Sequence, residues 1–149
     1  MRAVCQRVSE ARVTVDGADV AQIREGLVVL LGVARGDSAA VALRLAGKIA
    51  RARIFEDDAG RFDRSLLDIG GSSLVVSQFT LLGDSRRGTR PDFSNAAPAS
   101  LAEPLYERFC DALRDLGIPV QTGLFGARMA VELVNQGPVT IIVDVEGQR

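Results

Sequence analysis

Residues 27–34, LVVLLGVA, form the longest apolar stretch in the chain. Crossing a bilayer takes about 20 apolar residues, so this run is far too short to span one. Its length and β-branched content predict a buried strand. The segments before it fit a sheet around that strand. Residues 2–8 and 11–15 are rich in valine and partly alternate, which predicts two strands. Asp16-Gly17 is a hairpin turn signal, and 18–23 is the return strand.

Two segments read as helices instead. Val41, Leu45 and Ile49 recur at four-residue spacing and predict a helix over 38–53, capped by Asp37 or Ser38. The preceding Arg35-Gly36-Asp37 reads as a turn, although the same letters spell an adhesion tripeptide. Arg44, Lys48 and Arg51 share another helix face, read as solvated ahead of a phosphate-binding stripe. A second helix spans 98–116, with Leu105, Phe109 and Leu113 inward and Gly117 ending it. Ser100 and Glu103 match a capping box, with Pro104 complicating the first turn.

The remainder is strand and loop. Asp57-Asp58-Ala59-Gly60 makes a hairpin between 54–55 and 61–62, and its aspartates read as turn residues. Gly70-Gly71 precedes a strand over 74–81. A long polar loop over 83–97 carries Arg86, Arg87 and Arg90, and loops of that length are often functional. Strands over 120–125, 128–134 and 139–145 close the chain, with a turn at 135–138 between the last two. The expectation is an α/β fold: a β-rich mixed sheet with two main helices, one domain over residues 1–149, and a short tail ending at Arg149.

Composition narrows the chemistry. Of 149 residues 47% are hydrophobic, enough for a real core, and the net charge of -1 gives no global basic field. Any nucleic-acid contact therefore needs a local patch. Histidine is absent. That removes Ser-His-Asp and Cys-His nucleophile systems, and His-ligated zinc or iron. No cofactor and no metal site is expected. Cys5 and Cys110 are far apart in apolar surroundings and read as buried free thiols, which fits a reduced, cytoplasmic compartment. The N-terminal MRAVCQRVSEARV has no long apolar core, so no signal peptide is expected there.

There is no GxGxxG after a strand, no Walker loop and no GxSxG elbow. Two segments stand out. Ser77-Gln78-Phe79-Thr80-Leu81 sets hydroxyl and amide groups into the end of an apolar strand. Asn135-x-Gly137-Pro138-x-Thr140 alone is a turn signal. Taken together, SQFTL and NQGPVT resemble the two signature motifs of the D-aminoacyl-tRNA deacylase family. Gln6-Arg7-Val8, the RGTRPDF stretch from Arg87 to Phe93, and Thr122-Gly123-x-Phe125 followed by Met129 agree with it. The resemblance runs from the first strand to the last, more loosely in the helices.

That resemblance implies a sheet rolled into β/β/α layers and a cytoplasmic homodimer. The expected activity is hydrolysis of D-amino acids from tRNA, a proofreading carboxylic ester hydrolase with no membrane or DNA partner. Its partner would be the 3′ aminoacyl-adenosine end of tRNA. It implies a pocket at Ser77, Gln78, Phe79 and Thr80, with Phe125 and Met129 lining it. It implies that the Gly137-Pro138 peptide is cis and enters the partner subunit's site, excluding L side chains by collision. Arg7, with Asn135 in the motif, would hold that segment. The bland alternative for Arg7 is a strand residue pointing to solvent. Thr80 is the obvious nucleophile, but no histidine is present to deprotonate it. The tRNA 2′-hydroxyl would instead activate water, with Ser77, Gln78 and Thr80 positioning. Side-chain exclusion leaves glycine accepted, including glycine wrongly attached to alanine tRNA. Two competing readings are an RNA-binding module without catalysis and a purely structural dimerisation domain.

Overall fold

The first strand, β1 (Arg2–Val15), is continuous where the sequence predicts two. A computed structural model describes residues 1–147 of the chain; the tail expected to end at Arg149 lies partly outside them. The other elements are β2 (Ala18–Ile23), β3 (Gly26–Gly32), α1 (Ala39–Arg51), β4 (Phe55–Glu56), β5 (Phe62–Arg64), α2 (Leu66–Ile69), β6 (Ser72–Ser77), α3 (Ala99–Asp115), β7 (Val120–Thr122) and β8 (Ala130–Asp144). β1 pairs antiparallel with β2, β3 and β8. β3, β6 and β7 run parallel to one another.

Side-chain parity explains the layers. Ala3 and Cys5 of β1 join Leu27, Val29 and Leu31 of β3 in a core packed against α1 and α3. Val8 has the opposite parity and enters a second core with Val28, Leu74 and Val76. A strand would next send residues 10 and 12 the same way. The register shift between Val8 and Glu10 flips that parity, and Ala11 and Val13 join the second core instead. A bulge thus lets one strand serve two cores and curl the sheet. The result is the expected β/β/α arrangement, with helices on one face and rolled sheet on the other.

The helices obey their stripes. Val41, Leu45 and Ile49 are buried, and Ser38 caps α1 by accepting from the Val41 amide at 3.4 Å. Asp37 takes a different task and accepts from the Ala34 amide at 2.7 Å. α3 buries Phe109 and Leu113, while Leu105 is only half-buried and Tyr106 takes the inner place. The Ser100–Glu103 capping box does not form, because Pro98 is the cap and Ser100 is already helical. At the far end Gly117 N–H donates to the Arg114 carbonyl and Ile118 N–H to Leu113, closing the helix. The short α2 has no counterpart among the predicted helices; Ser65 and Asp68 form a reciprocal capping box there.

Three strand boundaries differ from expectation. β6 stops at Ser77, and residues 79–82 form a 3-10 turn rather than more strand. Leu82 folds back over β3, where a Cβ on Gly32 would lie 2.3 Å from its side chain. β7 ends at Thr122 rather than residue 125. The two closing strands, 128–134 and 139–145, are one strand, β8. Residues 135–138 are therefore no hairpin turn, as the chain continues in the same direction past them. Gln6 faces Thr140 and Val8 faces Asn135, so residues 136–139 bulge out opposite Arg7 alone.

Cys5 and Cys110 are both buried, and burial pushes each thiol up to about 12. Thiolate is the reactive form, so its native population is negligible near neutrality. A thiol reagent at mildly alkaline pH is expected to label neither cysteine until denaturant is added. Rapid labelling of the native protein contradicts this burial.

Candidate active site

Where β6 ends, Ser77, Gln78 and Phe79 form one wall of a cavity of about 550 Å³. Ala102 from α3 closes one side, and Phe125 and Met129 close another. The lining contains no charged side chain. The wall is tied down at β6. The Tyr106 hydroxyl donates to the Val75 carbonyl at 2.8 Å, and the Gly123 amide donates to the same oxygen at 3.1 Å. Tyr106 also packs against Phe125, with ring centroids 5.7 Å apart. Phe79 reaches outward, 55% exposed, and meets Phe93 edge-on at 5.3 Å.

Thr80 does not line the cavity. It lies exposed beside it, and its hydroxyl oxygen accepts from the Gln78 side-chain amide. An amide is no base in either orientation, so the pair cannot generate an alkoxide. The Phe79 and Thr80 backbone amides open the 3-10 turn and have no acceptor among the described residues. Both are free donors, the first on a residue that lines the cavity.

Arg7 is a clamp and not a solvent-facing strand residue. Its side chain is only 11% exposed. Nε donates to the Gln136 carbonyl at 2.9 Å, Nη1 to the Ile54 carbonyl at 3.0 Å, and Nη2 to Glu56 at 3.3 Å. The guanidinium also sits over the Phe62 ring at 5.6 Å. Asn135 closes the neck of the bulge, accepting from the Val139 amide at 2.7 Å and donating to Thr140 at 3.0 Å. The Gly137-Pro138 peptide is cis. Gly137 has φ 133, and a Cβ there would lie 3.0 Å from Arg7 Nη2, so any other residue would be strained there.

Ser77, Gln78, Phe79, Phe125 and Met129 thus meet in one cavity. Gly137 and Pro138 are exposed and absent from its lining in the same chain; Arg7 and Asn135 are partly buried and absent from it too. Sequence reasoning missed Tyr106, which reads simply as a helix residue, and the packing of Phe93, which depends on how the 83–97 loop folds back.

Residues 4–144 match a family model described as D-Tyr-tRNA(Tyr) deacylase. The chain is 62% identical over 144 residues to the D-aminoacyl-tRNA deacylase of Roseiflexus castenholzii, across 97% of this chain and 92% of that one. It is 59% identical to the enzyme of that name from Thermomicrobium roseum, across 97% and 94%. Among solved structures, the c-Myc DNA Unwinding Element Binding Protein superposes with TM-score 0.93 at 39% identity, covering 99% of this chain and all 100% of that one. A probable eukaryotic D-amino acid tRNA deacylase shares the fold at TM-score 0.83 and 20% identity, across 97% and 98%.

Arg7→Ala removes three charge-assisted hydrogen bonds, of which a single one contributes about 1.5–3 kcal/mol. The expected outcome is a loss of at least that size in chemical denaturation, with faster amide exchange at residues 136–139. Unchanged exchange there contradicts the clamp.

Proposed function

We infer that this chain, which belongs to the D-aminoacyl-tRNA deacylase family, hydrolyses the ester joining a D-amino acid to tRNA and releases both. The observation that carries this reading is the uncharged cavity at the end of β6, edged by hydroxyl, amide and free backbone N–H groups. Apolar walls with a few placed polar groups suit a terminal adenosine and its aminoacyl ester. We treat residues 1–149 as one such deacylase domain.

The chemistry is positional. An aminoacyl ester is already activated, and the adjacent ribose 2′-hydroxyl can orient the attacking water. The free amides of Phe79 and Thr80 suit the developing oxyanion. Ser77 and Gln78 hold the substrate, and Thr80 supports them without becoming acylated. No metal or cofactor is called upon. Thr80→Ala is expected to slow turnover, and mass spectrometry should find no aminoacyl ester on the wild-type Thr80. A trapped adduct contradicts this route.

Chirality is read by a second copy of the chain. Gly137 and Pro138 are exposed, clamped by Arg7, and outside their own cavity, which favours their insertion into a partner's cavity in a homodimer. Their rigid backbone collides with an L side chain and leaves room for a D one. Glycine has no side chain to exclude, so Gly-tRNA, including glycine on alanine tRNA, is a substrate as well. No helix among the described residues is long and apolar enough to cross a membrane. The cytoplasm is the proposed site of action because charged tRNA is there.

A second reading is a nucleic-acid-binding module without chemistry, favoured by similarity to a protein named for binding a DNA unwinding element. One assay separates the two. D-Tyr-tRNA and Gly-tRNA should be deacylated quickly, while L-Tyr-tRNA is spared. Binding with no hydrolysis supports the module, and equal rates on D-Tyr-tRNA and L-Tyr-tRNA remove chiral exclusion.

A further inference from the structure

The cavity itself carries no charge, yet exposed arginines without ion pairs among the described residues stand on two segments beside it. Residues 83–97 leave the 3-10 turn directly and return to the same place. Asp84 and Asp92 exchange backbone hydrogen bonds, both at 2.8 Å. Phe93 then packs on Phe79, a lining residue. Beyond it, the Arg35 amide donates to the Asn95 carbonyl at 2.9 Å and the Arg35 side chain to Ser94 at 2.7 Å. The loop is pinned beside the cavity in this way, and its tip spans residues 85–91.

Its three arginines are not equivalent. Arg86 is spent on Asp84, which it holds at about 2, well below the usual carboxylate range. Arg87 and Arg90 are exposed and form no ion pair among the described residues. On the second segment, Arg128 stands between the lining residues Ala127 and Met129 and is likewise exposed without an ion pair among the described residues. A chain with net charge -1 has thus left three guanidinium groups without ion pairs on the two segments that flank one uncharged cavity. Guanidinium forks bind phosphate oxygens in a bidentate manner.

We propose that Arg87, Arg90 and Arg128 form a rim that grips the phosphates of the single-stranded tRNA 3′ end, next to the terminal adenosine in the cavity. The proposal rests on the deacylase reading and deepens it. The cavity takes a neutral nucleoside and amino acid, while the rim takes the charged backbone leading out of it. Arg44, Lys48 and Arg51 on α1 are not needed, since they lie together on a separate surface beside Leu43 and Gly47.

The test compares two esters, D-Tyr-tRNA and 3′-O-(D-tyrosyl)adenosine, which lacks the internucleotide phosphates. Wild type, R87Q/R90Q and R128Q are assayed on both across a salt series. The variants are expected to raise KM for D-Tyr-tRNA several-fold with kcat nearly unchanged. The slope of log(kcat/KM) against log(salt) should shrink by roughly 0.7 for each phosphate that the variant no longer neutralises. Hydrolysis of the adenosine ester should stay at the wild-type level, and R87K/R90K should restore most of the salt slope. An unchanged KM and slope on D-Tyr-tRNA overturns the rim. Equal losses on both esters overturn it too, because the arginines would then act on the cavity or the fold. A wild-type chain inert on both esters overturns the deacylase reading itself, a result distinct from a failed rim.

Discussion

β1 is hydrogen-bonded along both edges, with β8 on one side and β3 then β2 on the other. Everything functional hangs on that shared strand. Its register shifts carry the chain from the helix-facing core to the second core and so curl the sheet. The same pairing leaves residues 136–139 without ladder partners opposite Arg7. A bulge between paired strand segments is held at both ends, which is how a short exposed peptide can be kept rigid without packing. Arg7 completes the restraint by tying the bulge to residues 54–56.

The cavity at the other end of β6 works by a similar economy. It has no acid, no base and no histidine; its lining offers a hydroxyl and an amide, and the free backbone N–H groups of Phe79 and Thr80 follow them in the chain. Such groups do not move protons far, but they can fix geometry and stabilise charge as it develops. Oriented donors of that kind typically contribute about 2.7–4 kcal/mol each to an acyl-transfer transition state. That suits a substrate bringing its own activated ester and its own hydroxyl. In the proposed homodimer, selectivity is separated from catalysis, with the cavity from one chain and the steric barrier from the other.

Much of this is legible in the sequence. Apolar spacing finds α1 and α3, and the LVVLLGVA run finds the central strand, because burial writes a periodic pattern. The misread parts lack such a pattern. Gly137-Pro138 reads as a hairpin turn, since neither residue favours a ladder; only the pairing of Gln6 with Thr140 and Val8 with Asn135 reveals a bulge in one strand. Phe79 and Leu81 look like strand residues by composition, yet β6 ends at Ser77, and Leu82 packs over Gly32, a neighbour distant in sequence. α2 is too short to show periodicity, and its one local signal is the Ser65–Asp68 box. The candidate site residues come from two motifs, but nothing local tells that Thr80 stands outside the cavity or that Arg86 is neutralised while Arg87 and Arg90 are not.

The central claim is that the bulge of one chain completes the cavity of another. A purified heterodimer tests it most directly. One chain carries substitutions at Ser77 and Gln78 that silence its cavity. The other keeps its cavity but lacks residues 136–138, so that Val139 alone stands opposite Arg7 and the β1–β8 ladder can close. The only working cavity then faces the only intact bulge, across the interface. The account predicts that this heterodimer hydrolyses D-Tyr-tRNA and spares L-Tyr-tRNA. Hydrolysis of both esters by the heterodimer would contradict it, because the bulge would then be guarding the cavity of its own chain.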